Sequence, residues 1–454
     1  MSKNATISLK FDSETTHFSD IDMSKFKYID LFSGIGGFRV ALDSLGGKSV
    51  GFSEIDKFAI ETYRANFSDP EEHDLGDVTE ITQIPNADLI VGGVPCQSWS
   101  VAGKMKGFDD PRGKLWFDTI EIVRKSKPKA FVFENVKGLA DPRNAESLSL
   151  IVKSFQDVGY LVKYQVLTAS DFGCPQNRSR IFIVGFRDDF KKQFENFSFP
   201  KTKKHNLALT DFLGGVEKKD FDKKKFSIDE LFDGKMPMSR NNFQKDDELN
   251  DFFVMCDTRN GHTSIHSWDI RETSNAQKEI CMTIMKNRRK KKYGPYDGNS
   301  LAFDDIKELY PKATKKDVDD LVAKKILRYD EEGKIDLVHS KNSAGIDGIY
   351  RVYLPNSEIF STLTATGTKD YISEVCIEAD SVEEYRTKFI EEVLKKGKVR
   401  PVTPREASNI QGFPSNFILH KQEKYANKQI GNSVAPPVVA AVGAEIIKTG
   451  IFST

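Results

Sequence analysis

The stretch YIDLFSGIGGFRVAL (residues 28–42) decides the fold of this chain. It begins with a short apolar run, passes through a glycine-rich turn and continues with helical periodicity, so it predicts a buried strand, a tight turn and a helix. Glycines allow the backbone to approach a ligand closely, and the start of the following helix offers free N–H groups. By itself the motif is equally typical of any tight strand-to-helix turn, so it predicts the local fold but does not by itself predict a ligand.

Residues 28 to about 187 repeat this alternation of apolar runs and amphipathic stretches. The apolar runs read as buried strands, and they are YIDLFSG, SVGFSEI, ADLIVGG, AFVFENV and RIFIVGF. The stretches between them have helical periodicity, and they are FRVALDSLG, DKFAIETYRANF, KLWFDTIEIVRKS and ESLSLIVKSFQDVG. This order predicts an α/β fold with a doubly wound, mostly parallel sheet, which binds ligands at the carboxyl ends of its strands.

The pattern of charged and apolar residues changes after this region. Lysine-rich and acidic stretches alternate over residues 190–398, whereas the segments RPVTPREASNIQGFP and KQIGNSVAPPVVAAVGAEIIKTG return to the earlier pattern. We therefore predict a discontinuous first domain, residues 27–189 and 399–454. A smaller and less regular second domain, residues 190–398, is inserted into it.

The composition of the chain says little about the binding partners of the protein but more about its location in the cell. The chain has 67 Lys and Arg residues and 67 Asp and Glu residues, a balance that still permits a local basic patch. The five cysteines, at 96, 174, 256, 281 and 376, form no CxxC pair, so neither a zinc site nor a disulfide framework is predicted, and no metal is expected. Free thiols, a polar N-terminus and the lack of a membrane-length apolar run predict a cytoplasmic protein without membrane contact.

A lone cysteine and a glutamate at strand ends are the strongest chemical signal. Cys96 lies in VGGVPCQSWS (residues 91–100), and Glu134 lies in FVFENV. A lone cysteine is usually a small buried hydrophobe, but a polar Pro-Cys-Gln turn is a poor core position. Glu134 has the alternative of a solvated or capping carboxylate. Together, a thiolate and a carboxylate at one sheet edge suit covalent attack on an electron-poor ring.

Further polar residues follow the neighbouring strands. Glu54 comes about 20 positions after the glycine turn, where an acidic side chain binds ribose hydroxyls, and Asp77 suits an adenine amino group. Singly, each carboxylate is more often a surface group or a helix cap. Arg178 and Arg180 alternate before a strand, so both guanidiniums would share one face and hold a phosphate or a base carbonyl. The alternative for this pair is a solvated strand edge.

In this order, the motifs resemble those of bacterial DNA cytosine-5 methyltransferases of the restriction-modification type. The matching blocks are DLFSGIGGFRVAL, SEIDKFAIETYRANF, GDVTEI, VPCQSWSVAG, GKLWFDTI, FENVKGL, QNRSRIFIVGF, RPVTPREASNIQGFP and QIGNSVAPPVV. The resemblance covers roughly residues 27–187 and 400–448. It implies a Rossmann-like class I methyltransferase domain with an inserted target-recognition domain.

The resemblance also implies a cofactor and a set of site residues. S-adenosylmethionine would be bound by Phe32, Ser33, Gly34, Gly36, Glu54, Ile55, Asp77, Val78, Pro95, Leu115, Asn432 and Ser433. The catalytic residues would be Cys96, Glu134, Arg178 and Arg180. Cys96 would add to carbon 6 of cytosine, and Glu134 would hydrogen bond to N3 and the amino group of the ring. Because stacked neighbours block that attack, the base must flip out of the duplex.

Double-stranded DNA is the expected partner, and the protein is expected to act on it as a monomer. A restriction endonuclease encoded separately is a possible second partner. The run KNRRKKKYG, which contains Lys290, predicts phosphate contacts, although a solvated loop has the same composition. Arg259, in RNGHTSIHSWDI, suits base edges. Thr362 matches the family's Thr-Leu element, and Gln97, Ser98 and Ser100 adjoin the cysteine on the expected DNA side.

Three alternatives remain open from the residues. A dinucleotide-dependent oxidoreductase would share the glycine turn and Glu54 but would not need Cys96 with Glu134. A DNA-binding relative without activity would lack that catalytic pair. A tRNA cytosine-5 methyltransferase has a similar motif order, but the size of the insert favours a protein that reads duplex DNA.

Overall fold

The computed structural model describes most of the chain. The described residues are 25–95, 111–203, 205, 207–217, 252–255, 264–296, 298–338, 340–341, 345–346, 350–366 and 370–453. The predicted site residues Cys96, Gln97, Ser98, Ser100 and Arg259 lie outside them.

Thirteen α-helices lie in the described residues. The first five are α1 (Gly37–Ser44), α2 (Lys57–Asn66), α3 (Pro111–Ser126), α4 (Ala145–Asp157) and α5 (Lys191–Asn196). The next five are α6 (Ser267–Ile270), α7 (Asn275–Asn287), α8 (Phe303–Leu309), α9 (Lys315–Ala323) and α10 (Val382–Lys388), which continues into a π-helical turn at Phe389–Leu394. The last three are α11 (Pro404–Gln411), α12 (Glu423–Asn432) and α13 (Pro436–Lys448).

Sixteen strands accompany them in the same residues. The first seven are β1 (Lys27–Leu31), β2 (Lys48–Ser53), β3 (His73–Asp74), β4 (Leu89–Gly93), β5 (Ala130–Val136), β6 (Tyr160–Thr168) and β7 (Ser179–Arg187). The others are β8 (Phe252–Met255), β9 (Ser264–Ile265), β10 (Leu327–Tyr329), β11 (Ile335–Leu337), β12 (Ser340–Lys341), β13 (Gly345–Ile346), β14 (Tyr350–Tyr353), β15 (Tyr371–Ser373) and β16 (Val399–Pro401). Short 3₁₀ helices include Val78–Glu80 and Lys291–Tyr293.

The chain divides into two compact units. Unit 1 takes in the chain up to Leu207, Ile359–Thr368 and Thr403–Thr454. Unit 2 takes in Ala208–Glu358 and Lys369–Val402. Unit 1 is discontinuous in the chain, and its segments differ at three places from the predicted bounds, residues 27–189 and 399–454.

Backbone pairing and packing explain the three differences. Phe197, beyond the predicted boundary at 189, is buried in the unit 1 core. Phe360 forms a bridge with Gln176, which brings residues 359–368 back to unit 1. At the other end, β16 pairs with β15 and so belongs to unit 2 rather than to the returning segment.

Unit 1 is built on a seven-stranded sheet in the order β3-β2-β1-β4-β5-β7-β6. The strands from β3 to β5 are parallel to their neighbours, whereas β7 is antiparallel to both β5 and β6. The strand order reverses between β1 and β4. In open α/β sheets such a reversal point marks the ligand-binding crevice, here between the chain leaving β1 and the chain leaving β4.

Successive residues of β1 point to opposite faces of this sheet. Tyr28 packs into a core with helices α1 and α13, whereas Ile29 packs into a second core with Trp116 of α3 and Phe155 of α4. The sheet is thus covered on both sides, as the apolar strands require. One stretch, Glu423–Lys448, has the length and hydropathy of a membrane span, but 83% of its apolar window is buried inside the protein, as expected of core helices.

The described residues of unit 2 contain two buried apolar clusters. One lies on a five-stranded sheet in the order β16-β15-β14-β8-β9, where Phe253 stacks on Phe389 with ring centroids 4.0 Å apart. The other is helical and contains Ile284 of α7, Ile306 of α8, Leu321 of α9 and Ile335 of the β10–β11 hairpin.

Candidate active site

The glycine turn after β1 has an unusual backbone. Phe32, Gly34 and Gly36 have φ values of 55°, 56° and 88°. A side chain on Gly36 would place its Cβ 2.4 Å from Phe67, so glycine is required there. Phe32 tolerates the left-handed region only at a cost, and such strain concentrates at functional sites.

Glu54, at the end of β2, holds this turn. Its Oε2 accepts a hydrogen bond of 2.8 Å from the Gly34 N–H. Its Oε1 accepts bonds of 2.8 Å from the N–H groups of both Ile55 and Asp56. A carboxylate offers about four lone-pair positions, so Oε2 keeps one for a ligand hydroxyl. The neighbouring Ile55 is 73% exposed and presents an open apolar surface.

Apolar cofactor candidates from three different segments meet on one cluster. Phe32, Val78 and Leu115 all pack against the core that lies on the α3 side of the sheet. Asp77 is the N-cap of the short helix Val78–Glu80, where its Oδ1 accepts from the Thr79 N–H at 2.9 Å. The helix-cap alternative for Asp77 is therefore observed, and it fixes the carboxylate beside this apolar cluster.

The loop after α12 lies against the glycine turn. A Cβ built on Gly37 would approach Ser433 Oγ to 2.7 Å and Val434 Cγ1 to 2.8 Å. Ser433 is half-buried and its hydroxyl donates to the Val434 carbonyl at 3.2 Å, whereas Asn432 is exposed. The structure thus brings the two ends of unit 1 together at the predicted cofactor turn.

A second cluster lies at the ends of β4 and β5. Gly93 pairs with Glu134 in the sheet, and a Cβ on Gly93 would lie 3.7 Å from Glu134 Oε2. Arg180, near the start of β7, places its Nε 3.0 Å from Glu134 Oε1 in an ion pair between two largely buried side chains. The carboxylate therefore lies beside the end of β4, from which the chain continues through Val94 and Pro95.

Asn135 is a site residue that sequence reasoning missed. Its buried Nδ2 donates to the Val94 carbonyl at 3.0 Å, so it fastens the first residue after β4 to the end of β5. The signal was present, since Asn135 follows Glu134 directly in FVFENV. Its partner, however, is 41 positions earlier in the chain.

The structure corrects the expectation for Arg178. The residue is 3% exposed, and its guanidinium donates to three backbone carbonyls, those of Leu363 at 3.1 Å, Gly431 at 3.2 Å and Ser433 at 2.7 Å. Arg178 precedes β7, so the alternation that would place it beside Arg180 does not apply. Arg180 faces Glu134, whereas Arg178 supports two loops from inside.

Gln176 belongs to the same buried network. Its Nε2 donates to Gln411 Oε1 at 2.7 Å, and its Oε1 accepts from the Leu363 N–H at 3.0 Å. Gln411 in turn donates to the Ser433 carbonyl at 2.8 Å. Thr362, predicted at the end of the recognition domain, instead lies in unit 1, where its hydroxyl donates to the Asn177 carbonyl.

Close backbone packing completes this network. A Cβ on Gly431 would lie 2.1 Å from the carbonyl carbon of Thr364, so only glycine fits. Three segments therefore pack closely and hydrogen bond to one another. They are residues 360–364, the segment before β7 and the loop after α12. We call this assembly, centred on Gln176 and Arg178, the Gln176–Arg178 network.

Ionisable groups are buried next to the glycine turn. Burial, followed by the nearby Glu72 carboxylate, raises the pKa of Asp30 well above its usual range. Both Asp30 oxygens are buried without a hydrogen-bond partner among the described residues. Close by, Arg39 forms a 2.5 Å ion pair with Glu72 and donates to the Tyr63 hydroxyl at 3.0 Å.

Lys290, a predicted DNA contact, belongs to the other unit. Lys290 is exposed in unit 2, just before the short helix Lys291–Tyr293. Across the described residues, no cluster of three or more His, Cys, Asp and Glu side chains is arranged to hold a metal ion.

Comparison with known proteins decides between the alternatives. The family model for C-5 cytosine-specific DNA methylases matches residues 26–448. The chain belongs to the C-5 cytosine-specific DNA methylases. The oxidoreductase alternative is thereby excluded, and the enzyme is a DNA cytosine-5 methyltransferase.

Two relatives show the extent of the similarity. The chain is 46% identical over 432 residues to the Type II methyltransferase M.HgiBI of Herpetosiphon aurantiacus, covering 95% of this chain and 98% of the relative. It is 34% identical over 450 residues to the Type II methyltransferase M.BanI of Aneurinibacillus aneurinilyticus, covering 94% and 97%. This methylase is thus similar to restriction-modification enzymes over nearly its whole length.

A solved structure supports the fold. The methyltransferase EhMeth of Entamoeba histolytica superposes with a TM-score of 0.50 at 16% sequence identity, covering 93% of this chain and 98% of that one. Together with the observed sheet, this similarity confirms the predicted Rossmann-like methyltransferase domain with an additional smaller domain.

Proposed function

We propose that this methylase transfers a methyl group from S-adenosylmethionine to carbon 5 of a flipped cytosine in duplex DNA, through a covalent adduct with Cys96. The observation that carries the proposal is the position of Glu134. The Gly93–Glu134 pairing and the Asn135–Val94 bond hold its carboxylate beside the strand end that leads to Cys96.

The residues divide the chemistry between them. The Cys96 thiolate forms a bond to carbon 6, which breaks the aromatic system and makes carbon 5 a nucleophile. Glu134 hydrogen bonds to the ring at N3 and the amino group, so negative charge does not accumulate there. Arg180 holds the Glu134 carboxylate in place. Carbon 5 would then bond to the methyl group as the bond from that group to the cofactor sulfur breaks. Loss of the carbon-5 proton and departure of the thiolate from carbon 6 restore the ring and free Cys96.

S-adenosylmethionine supplies the electrophilic methyl group, and the residues at the glycine turn suit it. The position of Gly34 is open, with nothing within 4 Å of a Cβ built there, and the buried Ser33 hydroxyl has no hydrogen-bond partner among the described residues. Glu54 would bind the ribose and Asp77 the adenine amino group. The apolar walls would come from Phe32, Ile55, Val78, Pro95 and Leu115, with backbone from Gly36 and polar groups from Asn432 and Ser433 at the methionine end.

The biological setting follows the relatives. Their names describe Type II methyltransferases, so we infer that this protein modifies a specific duplex sequence and protects it from a separately encoded restriction endonuclease. Cytoplasmic action as a monomer, with sequence reading by the inserted region, completes the proposal.

Trapping on modified DNA tests the mechanism. Duplex DNA that carries 5-fluorocytosine at the target should form an adduct that survives denaturing electrophoresis, because fluorine does not leave as the carbon-5 proton does. Cys96→Ser should form no adduct and transfer no methyl group, since a hydroxyl is far less acidic than a thiol.

Cys174→Ser is the matched control. Cys174 is buried, and burial raises the pKa of its thiol to about 12, so it offers no thiolate at neutral pH. This variant should still form the adduct. Methyl transfer by Cys96→Ser, or an adduct on Cys174, would overturn the mechanism, and methylation of tRNA in place of duplex DNA would overturn the substrate.

A further inference from the structure

The helical core of unit 2 has a recognisable chain order. Helix α7 is followed by a single bridging residue, Leu301, then by α8, a short turn, α9 and the β10–β11 hairpin. Leu301 and Ile335 exchange two backbone hydrogen bonds, of 2.9 and 2.8 Å. The hairpin is antiparallel, with Arg328 opposite Asp336. The result is a two-stranded antiparallel sheet, β10 with β11, to which Leu301 is joined by one antiparallel bridge on the free side of β11.

This order is that of a winged helix-turn-helix. Two helices, α8 and α9, are joined by the turn 310–314, and a third helix packs behind them, since Ile284 of α7 shares a buried core with Ile306 and Leu321. Thr314 caps α9 by accepting from the Asp317 N–H at 3.1 Å. In DNA-binding proteins of this build, the second helix of the pair enters the major groove.

Exposed lysines concentrate at the turn of this module. Lys292 reaches Glu308 at the end of α8 with an Nζ to Oε2 distance of 3.3 Å, so the basic run lies beside the turn. The exposed lysines of the run, the turn and the first turn of α9 are Lys290, Lys291, Lys292, Lys312, Lys315 and Lys316. We call these six residues the lysine edge. Acidic side chains of α8 and α9, such as Glu308 and Asp317, lie in the same part of the module, so the lysines offer individual phosphate contacts rather than a uniformly positive surface.

The opposite charge marks the hairpin tip. Glu331 and Glu332 are exposed there, beyond Asp330, which accepts hydrogen bonds from the N–H groups of Glu332 and Lys334 at 3.0 and 2.9 Å. Phosphates would repel this tip. The hairpin tip carries no such lysines, so the lysine edge is the part of the module expected to face DNA.

We propose that residues 275–338 dock on duplex DNA as a helix-turn-helix module, with the lysine edge on phosphates and α9 in the major groove. Asp319, exposed on α9, accepts a hydrogen bond of 2.6 Å from the Tyr329 hydroxyl, and its remaining lone pairs would accept from the amino group of cytosine. The inference rests on the proposed function, because DNA is taken as the substrate. It goes beyond that function by assigning DNA reading to one helix.

The salt dependence of binding tests the proposal on the full-length enzyme. Lys315→Ala combined with Lys316→Ala should weaken binding to cognate and unrelated duplexes alike. The slope of log affinity against log salt should fall by about 2, since each phosphate contact contributes about 0.9. The matched control is Lys395→Ala with Lys396→Ala, two exposed lysines near the end of the π-helical turn, which should leave the slope unchanged.

Further measurements separate the outcomes. Glu331→Ala with Glu332→Ala should not weaken binding, whereas Asp319→Ala should change which sequences are methylated. If the Lys315 and Lys316 variant keeps its thermal midpoint and the slope of log affinity against log salt does not change, the proposal is overturned. The surface would then be a candidate site for a protein partner. Methylation by the wild type is measured separately, so failure of the proposed function is distinguishable from failure of this docking surface.

Discussion

The two units of this methylase use polar side chains in opposite ways. In unit 1 the important groups are buried and committed to defined partners, as with Arg178 on three carbonyls and Glu134 on Arg180. In unit 2 the basic groups proposed to meet DNA are exposed on the surface of a separate apolar core. Chemistry requires fixed positions, whereas phosphate contacts require charge at the surface. Substitutions in unit 1 should therefore reduce catalysis or folding, and those on the lysine edge should change DNA affinity alone.

The largest effect is expected at the catalytic carboxylate. Glu134→Gln should slow methyl transfer by about 10²–10³-fold, the scale of one lost charge-stabilising group, in single-turnover assays. Cofactor affinity, measured by calorimetry, should stay the same. Glu121→Gln, which removes a surface carboxylate paired with Arg124, is the control and should leave the rate unchanged. Equal rates in the two variants would contradict the role of Glu134.

Packing in the Gln176–Arg178 network should give the next largest effect. Gly431→Ala introduces a Cβ 2.1 Å from the Thr364 backbone, so we expect a loss of about 1–3 kcal/mol in the free energy of unfolding, with reduced methylation. Denaturant titration measures the loss. Gly333→Ala in unit 2 has open space and only a positive φ, so it should cost less. A larger loss of unfolding free energy for Gly333→Ala than for Gly431→Ala would show that the Gln176–Arg178 network is not tightly packed.

Asp30 predicts a pH-dependent effect in unit 1. Its pKa is raised in the folded state, so folding takes up a proton, and its contribution to stability falls as pH rises above the unfolded pKa of about 3.9. Asp30→Asn should therefore raise the thermal midpoint at neutral and alkaline pH, with the gain vanishing toward about pH 4. Asp157→Asn, at an exposed site on α4, is the control. A pH-independent shift would contradict the assignment.

The smallest effect is expected for cofactor affinity. Glu54→Ala should raise the dissociation constant of S-adenosylmethionine by about tenfold, the scale of a lost charge-assisted hydrogen bond. Calorimetry measures it, with the exposed Glu61→Ala as control. Unchanged affinity together with a preference for NAD would contradict the ribose assignment.

Strand ends were the most predictable part of the site. Glu54 and Glu134 follow apolar runs, and parallel strands end at a common edge, so their placement at the ligand crevice required only local pattern and the βα order. The sequence pattern did not distinguish the different surroundings of Arg178 and Arg180. Side chains alternate between the two faces only inside a strand, and Arg178 precedes β7. Gln176 and Asn135 were missed as site residues because their partners lie far away in the chain.

The sequence alone determined the α/β class, the order of the motifs and the family, since these depend on periodicity and on residue types at short spacing. Only the tertiary structure decided where the units begin and end, that Arg178 supports two loops, and that a winged helix-turn-helix lies within unit 2. These features depend on pairs such as Gln176 with Phe360 and Leu301 with Ile335. Such pairs form only when the whole chain packs, because loop closure and burial select one partner among many that are locally equivalent.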